Sequence, residues 1–264
     1  MNYNSIKGAL FLMMAFLISC ANPYRDFADK NSDSYRFDLA KKNIDDMEFA
    51  SAISFIEPLL AKYPTNEEIA HTGVSAYAGR AGLRVLELFQ EIQEGVSSMG
   101  LFKIFARHFP GTVQLNIDDI EKSISIIETY GAAPADRSLD MNLLGLFIYY
   151  SEIGVNLNFY AFVPDTIDLN PTFDACDNVA LPHAAVDKIV VALYKIQSEI
   201  AKISETSSAF AGVTGALDVL GAFPDTSDCA TTPANPFCVL TRNLLNGSQI
   251  GLNTGVDLNI TCGI

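Results

Sequence analysis

The stretch YRFDLAKKNIDDMEFASAISFIEPLLAKYPTN, residues 35–66, decides the fold of this chain. Apolar residues recur in it at three- and four-residue spacing, first over residues 35–45 and again over residues 47–62. This is the period of an amphipathic helix. Pro64 cannot continue the second helix, so the stretch predicts a helical hairpin that ends at this proline.

Helical patterns continue through most of the remaining chain. Asn66, followed by two glutamates, is a good N-terminus for a third helix, which we predict over residues 67–94. Further helices are predicted at residues 97–108, 118–130, 139–163, 182–203, 209–223 and 237–245. The predicted fold class is all-α, with a single irregular helical bundle over residues 34–264.

The segment of residues 139–163 is long enough and apolar enough to raise the question of a membrane span. Asn142, Glu152, Asn156 and Asn158 argue against one, because polar and ionisable groups are costly in lipid. A helix that is hydrophobic on all sides is typical of the centre of a bundle. We therefore predict a buried core helix here.

The N-terminal helices resemble a tetratricopeptide repeat. The residues that carry the resemblance are Leu39, Ala40, Ala52, Ile56, Leu59, Pro64, Gly73 and Tyr77. The small residues matter because the helices of such repeats stack closely. The resemblance covers about residues 33–80 and leads us to describe residues 34–95 as repeat-like and residues 96–264 as a helical bundle. It implies a helical array that presents a groove to a partner.

The first residues have the outline of a secretory signal peptide. Lys7 precedes an apolar run over residues 8–18, and small residues follow the run. The run is too short to span a bilayer. We therefore predict that residues 1–19 direct export and are then removed.

The sequence Leu17-Ile18-Ser19-Cys20 resembles the lipobox of bacterial lipoproteins. The resemblance implies that the Cys20 thiol takes diacylglycerol, that cleavage precedes it, and that its new amino group receives a fatty acid such as palmitate. Residues 20–33 would then tether the domain to the membrane. Ala21 in place of an aspartate favours the outer membrane, facing the periplasm. The alternative is an ordinary secreted protein whose Cys20 forms a disulfide.

Composition makes nucleic acid an unsuitable partner. The chain holds 31 acidic and 17 basic residues, a net charge of −14, and it has no cluster of lysines or arginines. Such a surface repels phosphates. The hydrophobic share of 49% and the mean hydropathy of +0.22 predict a large buried core.

The cysteines divide into Cys20 and a C-terminal set of four. An even number in an exported protein indicates two disulfides, for which three pairings are open. We favour Cys229 with Cys238, because the residues between them resemble a surface loop, and Cys176 with Cys262. Zinc is the alternative, but there is no C-x-x-C motif and no histidine at ligand spacing.

Catalytic motifs are missing from the sequence. It contains no G-x-S-x-G, H-E-x-x-H, P-loop or dinucleotide fingerprint, so we predict neither catalytic residues nor a cofactor. The aspartates of residues 165–177 offer oxygen ligands for Ca²⁺, but they lack the register of a calcium loop. A solvated loop is the favoured interpretation.

The predicted third helix combines polar groups with many small residues. His71, Tyr77, Arg80 and Arg84 are the candidate binding residues, since arginine takes a carboxylate in bidentate fashion. The competing explanation is that the alanines and glycines around them serve tight helix packing.

These features predict an envelope-anchored lipoprotein that binds a protein or a small ligand, or acts as a scaffold. One alternative is an accessory subunit of a periplasmic solute transporter, which predicts a dry pocket or channel through the bundle, lined by the helix of residues 67–94. A second is an enzyme of unrecognised type, which requires a titratable pair in a cleft. A third is a pore-forming helical protein.

Overall fold

A computed structural model gives the fold, and it describes residues 29, 31–88, 90, 101–164, 166, 168–206, 223–246, 252 and 262. Regular structure within these residues is helical, apart from one isolated bridge between Phe162 and Leu169. The all-α prediction is confirmed.

The described helices are numbered here in chain order. They are α1 (Asp33–Asp45), α2 (Phe49–Lys62), α3 (Glu67–Ala81), α4 (Leu101–His108), α5 (Gln114–Tyr130), α6 (Leu139–Ala161), α7 (His183–Thr206) and α8 (Pro236–Asn246). A short 3₁₀ turn at Pro134–Asp136 lies between α5 and α6.

The predicted hairpin is formed by α1 and α2, which pack against each other. Ser32 caps α1 by accepting a hydrogen bond from the Tyr35 N–H, and Asn66 caps α3 in the same way through the Ile69 N–H. Ala40 and Ala52, two of the small residues in the repeat-like pattern, are fully buried.

Most helices pack against their neighbours in the chain. The α2 helix contacts both α1 and α3, and the series continues from α3 to α5, α6, α7 and α8. The short α4 departs from this order and packs on α6. One apolar core runs through the array from Ala52 to Leu252.

The central helix is α6, which packs against α4, α5 and α7. Its Met141, Ile148, Ile153 and Leu157 side chains are fully buried. The prediction of a buried core helix at this position is confirmed. In the described part of the chain, no helix has both the length and the apolar content that crossing a bilayer requires.

The predicted third helix over residues 67–94 is wrong in its length, because α3 ends at Ala81. Gly82 adopts a left-handed conformation with a φ of 106°. Its N–H bonds to the Gly79 carbonyl, and the Leu83 N–H bonds to the Ala78 carbonyl at 2.9 Å. This is a Schellman motif, which ends a helix. The chain is helical again at residues 85–88.

The other helix boundaries differ less from the predicted ones. The α5 helix begins at Gln114 rather than at 118, because Asn116 accepts a hydrogen bond from the Val113 N–H at 2.8 Å and stabilises an earlier start. Of the helix predicted at residues 209–223, residues 209–222 lie outside the described ones, and Phe223 is not helical.

Two disulfides hold the C-terminal part together. Cys176 pairs with Cys262 at a Cα–Cα distance of 5.1 Å, and Cys229 pairs with Cys238 at 5.8 Å. These are the favoured pairs of the three possible arrangements. The prediction of a C-terminal region cross-linked by disulfides is therefore confirmed.

Candidate functional site: the groove beside α3

The helix α3 lies between α2 and α5 and buries most of its residues against them. Its buried side chains are mainly small, which lets the neighbouring helices approach closely. A Cβ atom at Gly79 would lie 2.2 Å from a ring carbon of Phe49. Tight packing therefore accounts for at least this glycine.

An open groove runs beside the C-terminal half of α3. It is bounded by that helix, by the turn between α1 and α2, and by residues 83–87, and its volume is about 370 Å³. The lining residues are Ile44, Asp45, Met47, Phe49, Ser75, Ala78, Gly79, Leu83, Arg84, Val85, Leu86, Glu87 and Leu144. Most of these side chains are apolar, and we call this feature the α3 groove.

Two large apolar side chains stand exposed at the α3 groove. Met47 is 66% exposed and Leu86 is 80% exposed. Met47 also has a φ of 61°, the left-handed region that glycine and asparagine adopt more readily. Among the described residues it is the one non-glycine with a positive φ. A strained backbone that presents an exposed apolar side chain is a feature that marks binding surfaces.

The charged groups around the α3 groove are mainly acidic. Asp45 and Glu87 line it, and Glu48 follows Met47 in the turn. No cation among the described residues lies within ion-pair distance of these three carboxylates. The Arg84 guanidinium lies 5.4 Å from the centre of the Phe49 ring.

Arg84 is held by further internal contacts. Its Nη1 donates to the carbonyl oxygens of Gly79 and Leu83, both at 3.4 Å. Its backbone N–H donates to His108 Nε2 at 3.2 Å. These contacts keep the arginine against the wall of the groove rather than free in solvent.

Tyr77 and Arg80 form a second cluster on the face of α3 that meets α2 and α5. Arg80 binds Asp119 of α5 in bidentate fashion, with distances of 2.8 Å and 2.6 Å. The Tyr77 hydroxyl donates to Glu57 of α2, and the Arg80 guanidinium lies 5.6 Å from the Tyr77 ring. Burial raises the pKa of Tyr77, and the hydrogen bond to Asp119 raises the pKa of Arg80. The carboxylate that Arg80 holds therefore comes from the protein itself.

His71 lies apart from the other candidates, exposed on the first half of α3. One turn before it, Glu67 accepts hydrogen bonds from the hydroxyls of Ser138 and Tyr130, and these bonds lower the pKa of Glu67. The structure thus brings Tyr77 and Arg80 together, places Arg84 in the α3 groove, and leaves His71 outside it.

A smaller groove of about 280 Å³ lies between α2 and α5. Its lining residues are Glu57, Leu60, Ala61, Pro64, Lys122, Ser125, Ile126 and Thr129. Within the described ranges, no histidine lines this groove or the α3 groove.

Three buried charged residues line neither groove. Arg137 and Glu199 form an ion pair whose side chains are 0% and 1% exposed. Glu152 of α6 is also buried, and burial raises its pKa to about 8. The sequence signal for Glu152 was its position in the middle of the apolar run of residues 139–163, whereas the partners Arg137 and Glu199 carried no local signal.

Two aspartates of the loop before α7 accept hydrogen bonds from the protein itself. Asp174 accepts hydrogen bonds from the Cys176 N–H and from Asn246, and Asp177 accepts one from the Val179 N–H. One cluster with metal-ligand atoms was found in the described residues, but its Cys229 and Cys238 are joined in a disulfide. Its third member, Asp187, accepts a hydrogen bond from the Cys229 N–H.

Cys20 lies outside the described residues. No family model, no curated protein and no solved structure matches the chain.

Proposed function

We propose that the chain is a lipid-anchored protein of the bacterial envelope whose helical domain binds a partner through the α3 groove. The lipobox-like Leu17-Ile18-Ser19-Cys20 supports the anchor. The observation that carries the binding function is the groove itself, an apolar concave surface flanked by the exposed Met47 and Leu86.

The groove lies toward the end of the hairpin that is remote from the tether. Asp33, the first residue of α1, bonds to Lys62 and Tyr63 at the end of α2. The α1–α2 turn with Met47 is therefore at the opposite end, one length of α1 away. At about 1.5 Å per residue, the 13 residues of α1 span roughly 20 Å. An anchor at Cys20 would leave the turn free to meet a partner.

The anchor is tested by growing bacteria that express the full-length chain with an alkyne-labelled palmitate. We expect the wild type to incorporate the label and to fractionate with membranes. A Cys20→Ala variant should lose both properties, whereas Ser19→Ala, which keeps a small residue beside the thiol, should retain them. Label in the Cys20→Ala variant, or an unlabelled wild type, would refute the lipid anchor.

The binding surface is tested by placing a photocrosslinking amino acid at Leu86 in the full-length chain. Val179 is the matched control, because it is 89% exposed and lies in the loop before α7. We expect a discrete crosslinked envelope protein from position 86 and none of that size from position 179. The same products from both positions, or no product from position 86, would contradict a binding role for the groove.

An accessory role beside a periplasmic solute transporter is a second candidate. It requires a dry pocket or channel through the bundle lined by residues 67–94. The α3 groove is an open surface groove, to which Ser75, Ala78, Gly79 and residues 83–87 of that segment contribute. If this role is correct, the protein crosslinked at Leu86 is a transporter subunit, and deletion of the gene lowers uptake of that transporter's solute. A partner of another class, with uptake unchanged, would exclude it.

A further inference from the structure

We propose that the occupant of the α3 groove is an amphipathic helical segment of a partner protein, with apolar residues on one face and lysines or arginines beside them. This inference rests on the proposed binding function and specifies the chemistry of the partner. It follows from the apolar floor of the groove, the charges at its edge and the conformation of Met47.

The floor of the groove favours an apolar ligand face. Phe49, Leu83, Val85 and Leu144 contribute apolar surface to its lining, and Met47 and Leu86 extend that surface into solvent. Covering such side chains is favourable by about 25 cal/mol for each Å² removed from water. An amphipathic helix lays its apolar face into grooves of this kind.

The charges at the edge of the groove favour a cationic ligand. The carboxylates of Asp45, Glu48 and Glu87 have no ion-pair partner in the described part of the chain, whereas Asp46 is paired with Lys42. The one arginine of the lining, Arg84, lies against Phe49 and bonds to two carbonyl oxygens. A cationic ligand would supply the charge that complements these carboxylates.

Met47 supplies an independent argument for a protein partner. Its backbone occupies the left-handed region, where the side chain costs stability that glycine would not. The flexible thioether chain, which adapts to irregular apolar surfaces, is 66% exposed at the edge of the groove. The turn thus places an adaptable apolar side chain where a ligand helix would lie.

Fluorescence anisotropy with the full-length lipidated protein in nonionic detergent micelles tests the proposal. The probe is a labelled synthetic peptide of about 16 residues, roughly four helical turns, with leucines on one face and lysines on its flanks. One comparison peptide has glutamates in place of the lysines, and another has serines in place of the leucines. Empty micelles measure binding to the detergent.

Two changes in the protein should weaken binding of the lysine-flanked peptide, each by about tenfold. Glu48→Gln with Glu87→Gln removes two of the edge carboxylates. Met47→Gly removes the apolar side chain but suits the backbone, so the variant should remain folded and at least as stable as the wild type. The matched control, Asp225→Asn with Glu205→Gln, removes the same charge elsewhere and should leave binding unchanged.

Several results would overturn the proposal: equal binding of either comparison peptide, an equal loss in the control variant, no binding at all, or displacement of the peptide by a fluorescent fatty acid. These results remain distinct from failure of the proposed function. If the Leu86 crosslink forms while the lysine-flanked peptide does not bind, the occupant has another chemistry and the binding function stands. If the crosslink is also missing, the binding function fails.

Discussion

At the scale of single residues, the ion pair between Arg137 and Glu199 is the most deeply buried charged contact among the described residues. Arg137 also donates from Nε to the Gly131 carbonyl at 2.6 Å, so it joins α7 to the segment between α5 and α6. Burial raises the pKa of Glu199 to about 7, although Arg137 opposes this effect. One Glu199 oxygen, Oε2, makes no hydrogen bond.

Removing one partner of this pair should be strongly destabilising. Arg137→Met leaves the Glu199 carboxylate without its cation, so we expect the free energy of unfolding in urea to fall by about 3–5 kcal/mol. Lys202→Met is the matched control, because its pair with Glu205 is open to solvent and should contribute about 1 kcal/mol or less. If the two variants lost equal unfolding free energy, burial would not be what makes an ion pair costly to break in this protein.

Glu152 should make the stability of the protein depend on pH. Its carboxyl faces two ion pairs, Lys188 with Glu121 and Lys195 with Glu128. Burial raises its pKa from 4.5 to about 8, so the folded protein keeps a proton that the unfolded chain loses between these values. The unfolding free energy contributed by this group therefore falls as the pH rises through that range.

The variant Glu152→Gln removes this dependence because its amide does not ionise. Urea unfolding at a series of pH values should show the variant and the wild type diverging above pH 4.5, with the variant more stable by roughly 2–4 kcal/mol beyond pH 8. Glu205→Gln, which removes an exposed carboxylate remote from Glu152, should differ from the wild type by no more than about 1 kcal/mol at any pH. A constant difference between Glu152→Gln and the wild type would refute the shifted pKa.

At the scale of elements, Gly79 within α3 and Gly82 at its C-cap are required for different physical reasons. Gly82→Ala forces a Cβ into a left-handed turn and should cost about 1–2 kcal/mol in unfolding free energy. Gly79→Ala keeps a helical backbone but places a Cβ 2.2 Å from the Phe49 ring, so an overpacking cost of about 1–3 kcal/mol is expected. Adding Phe49→Ala should relieve the clash at Gly79 and leave the cost at Gly82 unchanged. If Phe49→Ala gave the same relief to both variants, the two costs would share one cause.

The elements that the sequence predicted well are those with strong local patterns. The hairpin and α7 have regular apolar spacing, with Pro64 as a clear stop after the hairpin, and α6 is a long and nearly continuous apolar run. The end of α3 was missed because its Ala- and Gly-rich sequence has no contrasting face, so Gly82 did not stand out as a cap. The early start of α5 depends on the Asn116 side chain, which apolar spacing does not reveal.

The candidate site was predicted less completely, because its contacts join distant parts of the chain. Arg80 and Asp119 are separated by 39 positions, and Tyr77 and Glu57 by 20. The sequence pattern placed Arg80 on the correct helix, but it did not indicate that Asp119 of the same chain binds it. The α3 groove likewise depends on how the α1–α2 turn, α3 and α6 meet, which a local pattern does not specify.

At the scale of the whole molecule, the C-terminal part is joined to the bundle by covalent and polar contacts. The α8 helix buries Arg242, which donates to the carbonyl oxygens of Ala175 and Leu181 in the loop before α7. Asn246 accepts a hydrogen bond from the Ala175 N–H at 3.1 Å. The Cys176–Cys262 disulfide fixes the same loop, so this loop should open more readily when the bond is lost.

The two disulfides should contribute unequally to stability. Cys176 and Cys262 are separated by 86 positions, so their bond restricts the unfolded chain more than the bond between Cys229 and Cys238, which are 9 positions apart. On the chain-entropy model, the double serine variant of the long-range pair should lose about 4–5 kcal/mol of unfolding free energy, and that of the short-range pair about 2–3 kcal/mol.

Hydrogen exchange in the variant without the Cys176–Cys262 bond should show the first loss of protection in residues 164–182 and α8, with α1 to α3 protected as in the wild type. Reductant should destabilise the wild type. It should not change the stability of a variant in which all four of these cysteines are replaced by serine. Exchange that rises first in the hairpin would instead show that the C-terminal disulfides stabilise the whole array, because the helices from α2 to α8 share one continuous core.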